Sequence, residues 1–148
     1  GQGYIEKDWG SSFPSMYTWT QSNDLGRPDS CVMLAIATIP LGAFHFTGCI
    51  CSIAYQGVEY RLATYQGARI LVHTDGDLLI EQDACRFHAH LIASAAQALH
   101  APIQGGMARI VHESASCRVR YRFWIGKRLI FDHTSERASF ESSRSETR

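Results

Sequence analysis

Apolar and polar residues alternate with a period of two along most of the chain. That period specifies β-strands rather than helices. The clearest stretch is Ser116–Trp124, where Cys117, Val119, Tyr121 and Phe123 fall on one face and Arg118, Arg120 and Arg122 on the other. A helix would scatter those arginines around its axis. Ala84–Ser94 repeats the pattern, with Cys85, Phe87, Ala89 and Leu91 set against Arg86, His88 and His90. Short glycine-containing connectors separate other strand-like runs. Gln56-Gly57 lies between Cys49–Tyr55 and Val58–Tyr65, Asp75-Gly76 between Ala68–His73 and Leu78–Glu81, and Gly126-Lys127 between Ser116–Ile125 and Arg128–His133. Each reads as a hairpin. Ser15–Ser22, Cys31–Ile39 and Arg137–Glu141 fit further strands, while the Ala-rich Ser94–His100 fits one helical turn ended by Pro102. Many short antiparallel strands predict an all-β sandwich or barrel.

Length adds that this is a single domain, since 148 residues is close to the ~150 typical of one. Lys+Arg and Asp+Glu both number 14, so the net charge is zero and no basic excess points to nucleic acid. A hydrophobic share of 45% supports a packed core rather than disorder. The longest apolar run, Cys31–Leu41, is too short for a transmembrane segment, which takes about 20 residues. That run is apolar on both faces, so it calls for cover on both sides, from a terminal segment or a second domain.

Three sets of side chains carry candidate chemistry. Cys49-Ile50-Cys51 places two thiols on one face of a strand, half of a thiolate metal site or, the favoured reading, two small buried hydrophobes. The five cysteines lack the spacing of a disulfide framework, which fits a reducing, cytoplasmic compartment. His88-Ala89-His90 sets two imidazoles side by side without an evident third ligand, so no metal is assigned. The arginine row suits a solvated outer face better than an anion-binding stripe, given the zero net charge.

The densest segment is N-terminal: Tyr4-Ile-Glu-Lys-Asp-Trp-Gly-Ser-Ser-Phe-Pro14, then Tyr17-Thr-Trp-Thr-Gln-Ser-Asn23. On an extended backbone Glu6 and Asp8 point to one face, either as an acid/base pair or as a solvated edge. Glu6–Pro14 followed by Trp19-Thr-Gln-Ser-Asn23 resembles the tocopherol cyclase family motif E-K-[ND]-W-G-x-x-F-P followed by W-x-Q-x-N. Tyr60–Gly67, Leu99-His-Ala-Pro102, and Gly106-Met107 with Glu113-Ser114 resemble later family segments. The resemblance runs from about residue 3 to 141. It implies an antiparallel lipocalin-like (calycin-type) β-barrel, or a strongly curved sheet, of about 8–10 strands. It also implies that residues 1–141 form the C-terminal half of a two-half protein, with a polar, disordered tail over 142–148. The partners expected are the N-terminal half in the same chain, or a second copy covering the exposed apolar face.

The family's chemistry is acid-catalysed closure of a chromanol ring on a prenylated hydroquinone, without metal or redox cofactor. It needs a protonated carboxylic acid, aromatic faces near a carbocation, and exclusion of water. The resemblance implies Glu6, Asp8 and Glu113 as acids. It implies Trp9, Tyr17, Trp19, Phe44 and Phe46 as the lining of an apolar cavity, with Gln21 and Asn23 as hydrogen-bond partners of a quinol. A non-catalytic binder of a lipophilic molecule, peripheral to a membrane or not, stands as the alternative. A structural half that only packs against its partner is the third reading.

Overall fold

The computed structural model describes the backbone of residues 5, 14–94, 97–103 and 106–143, and side chains for all of these except 97–103 and 106–115. Ten strands follow in order. They are β1 (Met16–Ser22), β2 (Cys31–Leu41), β3 (Phe44–Tyr55), β4 (Val58–Ala63), β5 (Arg69–His73), β6 (Asp77–Gln82), β7 (Cys85–Ala93), β8 (Gln97–Ile103), β9 (Gly106–Ile125) and β10 (Arg128–Ser143). A single 3-10 turn, Thr64–Gln66, joins β4 to β5. All pairings are antiparallel, in the order β4-β3-β2-β1-β10-β9-β7-β6-β5, with β8 on β9. The fold is therefore the expected all-β one, a strongly curled half-barrel. Among the described residues no helix is long and apolar enough to cross a membrane.

Turn chemistry sets the register. Gln56 and Gly57 both have positive φ, 52° and 76°, the type I′ geometry that matches the twist of two paired strands. The alternation then decides the two faces of the sheet. Val32, Leu34 and Ile36 of β2, Cys51 and Ile53 of β3, Leu78 and Ile80 of β6, Phe87 of β7, and Val119, Tyr121 and Phe123 of β9 enter one buried cluster on the concave side. Rings fill one end of it: Tyr55 and Phe131 have centroids 4.8 Å apart, Tyr60 and Phe123 4.9 Å, and Phe123 and Phe131 5.8 Å.

Two expectations change. Gln97–His100 is not helical but the start of strand β8, whose register with β9 runs from Gln97 opposite Glu113 to Ile103 opposite Gly106. Ladder pairing outweighs the weak helix preference of the alanines, and Pro102 sits on a strand whose pairing among the described residues is with β9 alone, an edge position that tolerates proline. The second change is that Arg128–His133 and Arg137–Glu141 are one strand, β10. Its register slips between Ser135 and Ala138 and again before Phe140. Those bulges interrupt the period of two that marks a strand in sequence. β10 runs on through Ser143, two residues into the polar C-terminal stretch.

Candidate functional site on the outer face of the sheet

β1 alternates inward hydroxyls with outward aromatic and amide groups. Thr18, Thr20 and Ser22 face the concave interior, where Thr18 Oγ1 lies 2.9 Å from His73 Nε2 and Thr20 Oγ1 2.7 Å from Tyr121 Oη. Tyr17, Trp19 and Gln21 therefore share the convex face. The β1–β2 register sets Tyr17 beside Ala37, Trp19 beside Ala35 and Gln21 beside Met33. On the other side β10 sets Trp19 beside Glu141. The Tyr17 hydroxyl donates a hydrogen bond to Glu141 Oε1. Gln21 Nε2 donates to Asn23 Oδ1 at 2.7 Å, so the two expected amide groups act as a pair.

The apolar face continues over β2 and β3. Ala35 stands beside Ile50, Ala37 beside Gly48 and Ile39 beside Phe46. A Cβ on Gly48 would lie 2.7 Å from the Phe46 ring, so glycine is what lets that ring lie flat along the strand. Phe44 and Phe46 are 78% and 45% exposed. They line an open surface near the β2–β3 turn rather than an enclosed cavity, because the alternation of β3 assigns the concave side to Cys49, Cys51, Ile53 and Tyr55.

Of the expected acids, Glu6 and Asp8 lie outside the described residues, as does Trp9. The side chain of Glu113 is outside them too, but its backbone is the register partner of Glu141. One row across four strands therefore reads Ala35, Trp19, Glu141, Glu113. Glu141 is the residue beside Tyr17 and Trp19 that sequence reasoning missed. Period two places it on one face of its own strand, but only the long-range β1–β10 register brings it to Trp19 and Tyr17.

The remaining motifs resolve differently. Cys49 and Cys51 share the concave face and are free and buried, and burial pushes both thiols up in pKa. His88 and His90 both reach Asp77 Oδ1, at 2.5 and 3.2 Å. Burial pushes the Asp77 carboxyl up, but the hydrogen bonds to the two imidazoles outweigh it and hold the group below the usual carboxylate range. Arg118 and Arg120 are neutralised on the outer face by Glu136 at 2.9 Å and Asp132 at 2.6 Å, as expected of a solvated sheet face.

This geometry offers a carboxyl and a phenol beside an indole at the margin of an apolar sheet face. No curated protein and no solved structure showed a significant match to the chain. The sequence profile of the family described as "Tocopherol cyclase-like" matches residues 2–143, and so nearly the whole chain, the motif-bearing N-terminal segment included, belongs to the tocopherol cyclase-like family.

Proposed function

We propose that the outer face of β1, β2 and β10 carries acid-catalysed cyclisation of a prenylated hydroquinone. The observation that carries this reading is the Glu141–Tyr17–Trp19 constellation next to exposed apolar surface. In the proposed step a carboxylic acid gives its proton to the less substituted carbon of a prenyl alkene. The tertiary cation is held near the Trp19 face, the phenolic oxygen of the substrate attacks it, and the phenolic proton returns to a carboxylate. Bonds and electrons balance without oxidant or metal. Covering such a face with apolar surface favours the neutral acid and excludes the water that would otherwise capture the cation. The reading therefore includes a companion surface, the other half of a longer protein or a second copy of this chain, closing over the prenyl chain along β2 and β3.

The test is incubation with a prenylhydroquinone and chromatography for the chromanol. Glu141→Gln is expected to lower turnover by about 10²-fold or more, the usual contribution of a general acid, and Tyr17→Phe by less. Glu6→Gln and Asp8→Asn, assayed in parallel, are expected to leave folding intact and to show whether the motif acids share the role. Saturable binding of the quinol without product would establish the non-catalytic binder instead. Full activity in Glu141→Gln would remove Glu141 as the proton source.

A further inference from the structure

Arg122 departs from its two neighbours in the arginine row. Asp132 faces it across the ladder, but both Asp132 oxygens accept from Arg120, at 2.7 and 2.6 Å. Arg122 thus has no carboxylate of its own among the described residues. Its Nη2 donates instead to His88 Nδ1 at 2.7 Å. A guanidinium only donates, so that nitrogen accepts and the His88 proton sits on Nε2, directed at Asp77. The chain Arg122–His88–Asp77 holds the guanidinium in place, and its carbon lies 5.4 Å from the centre of the Trp124 ring. Arg122 Nε is buried and has no hydrogen-bond partner among the described residues, a donor for which folded proteins normally provide an acceptor.

Beside this guanidinium opens a pocket of about 490 Å³. Leu79, His88 and Trp124 line it together with three cations, Arg86, Arg122 and Lys127, and no carboxylate does. Arg86 is half-compensated, since Glu81 takes hydrogen bonds from it and from Arg69. Lys127, on the β9–β10 turn, has no ion-pair partner among the described residues. Two positive charges without a salt bridge of their own among the described residues, Arg122 and Lys127, thus line a concave surface that also offers an indole and a leucine.

We propose that this pocket binds a phosphate group borne on a carbon skeleton, with Arg122 and Lys127 holding the phosphate and Trp124 and Leu79 contacting the skeleton. The planar, fixed fork of a guanidinium suits phosphate oxygens, and two cations without salt bridges of their own match a dianion better than a monoanionic carboxylate. The site lies on the same outer side of the sheet as Glu141 but further along β9, where Arg122 and Trp124 pair with Asp132 and Leu129 while Glu113 pairs with Glu141, and it does not depend on the cyclisation reading. A soluble phosphate ester and the head group of an anionic phospholipid share this chemistry.

Calorimetric titration with inorganic phosphate and pyrophosphate at low salt tests the first source. Cosedimentation with phosphatidylcholine vesicles, with and without phosphatidic acid, tests the second. Saturable binding in either arm is expected, with phosphatidic acid required in the vesicle arm. Arg122→Gln and Lys127→Gln are each expected to weaken it by about tenfold, the loss of one charge-assisted hydrogen bond. Arg118→Gln, on the same strand but paired to Glu136, is expected to bind as the parent does. Lys127 sits on an exposed turn, so that variant decides the matter even if Arg122→Gln fails to fold. No binding of any of these probes, or equal binding by the Lys127→Gln variant, would overturn the proposal.

Discussion

Thr20 shows how one hydroxyl organises the concave side. Its Oγ1 donates to the Ser139 carbonyl at 3.0 Å. A hydroxyl has one proton, so the 2.7 Å contact with Tyr121 must be donated by the tyrosine. Tyr121 is fully buried, and burial pushes its phenol well above the usual tyrosine range, so it stays a donor. The two ends of this bond are unequal. Tyr121→Phe removes a donor and leaves Thr20 its other bond, at an expected cost of about 1 kcal/mol. Thr20→Val strands a buried phenol proton, at an expected cost of about 2–3 kcal/mol. The double variant is expected to cost less than the two singles together, because the stranded group is then gone. Urea unfolding of the four proteins measures all three quantities, and equal single costs would contradict the assigned donor.

At the scale of elements, the outer faces of β6, β7, β9 and β10 are joined by carboxylates held ionised. Hydrogen bonds from Arg86 and Arg69 lower Glu81, and those from Arg120 lower Asp132. Asp77 is lowered by its imidazole contacts against the effect of burial. All three shifts are downward, so these groups add stability at pH values above their unfolded pKa of about 4 and lose it as pH falls through the lower folded values. The melting temperature is thus expected to hold from neutrality to about pH 5 and to fall below about pH 4. Asp77→Asn is expected to flatten part of that fall, as read by calorimetry across the range. These partnerships were only half visible in the sequence. Period two gave the shared face of Arg118, Arg120 and Arg122 and that of His88 and His90, but it carries no information on which strands lie side by side. The β7–β9 and β9–β10 registers decide that Arg120 meets Asp132 while Arg122 meets His88. The same limit explains the candidate site, where Tyr17, Trp19 and Gln21 were legible as one face and Glu141 was not. Among the stretches that escaped detection, β8 and the middle of β10 are those where alanine and proline or a bulge spoils the alternation, and β9 begins at Gly106 rather than at Ser116.

For the whole molecule, the decisive property is that the described concave side is packed with side chains while the convex side carries the unfilled chemistry. One region is apolar around Trp19 and Ile50, and another is cationic around Arg122. Curling the sheet is what separates them, and the curl has an identifiable fastening. The two strands that end the main path of the sheet, β4 and β5, are consecutive in the chain, and Ala68 N donates to Ala63 O at 3.0 Å across the 3-10 turn. Gln82 at the end of β6 then substitutes for a missing ladder rung. Its Oε1 accepts from Ala63 N at 2.9 Å and its Nε2 donates to Arg61 O at 3.5 Å. Only the first of these is short enough to matter much. Gln82→Leu leaves the Ala63 amide without that acceptor, at an expected cost of roughly 1 kcal/mol in local opening, or about fivefold faster amide exchange. The increase is expected at Ala63 and Leu62 and not at Val119 or Tyr121 in the core of β9. Because β4 is hydrogen-bonded to β3, which carries Phe46 and Ile50, the same variant is expected to weaken binding of a lipophilic quinol without touching any acid. Unchanged exchange at Ala63 would mean that strand twist alone sets the curl, and the apolar face would then be insensitive to Gln82.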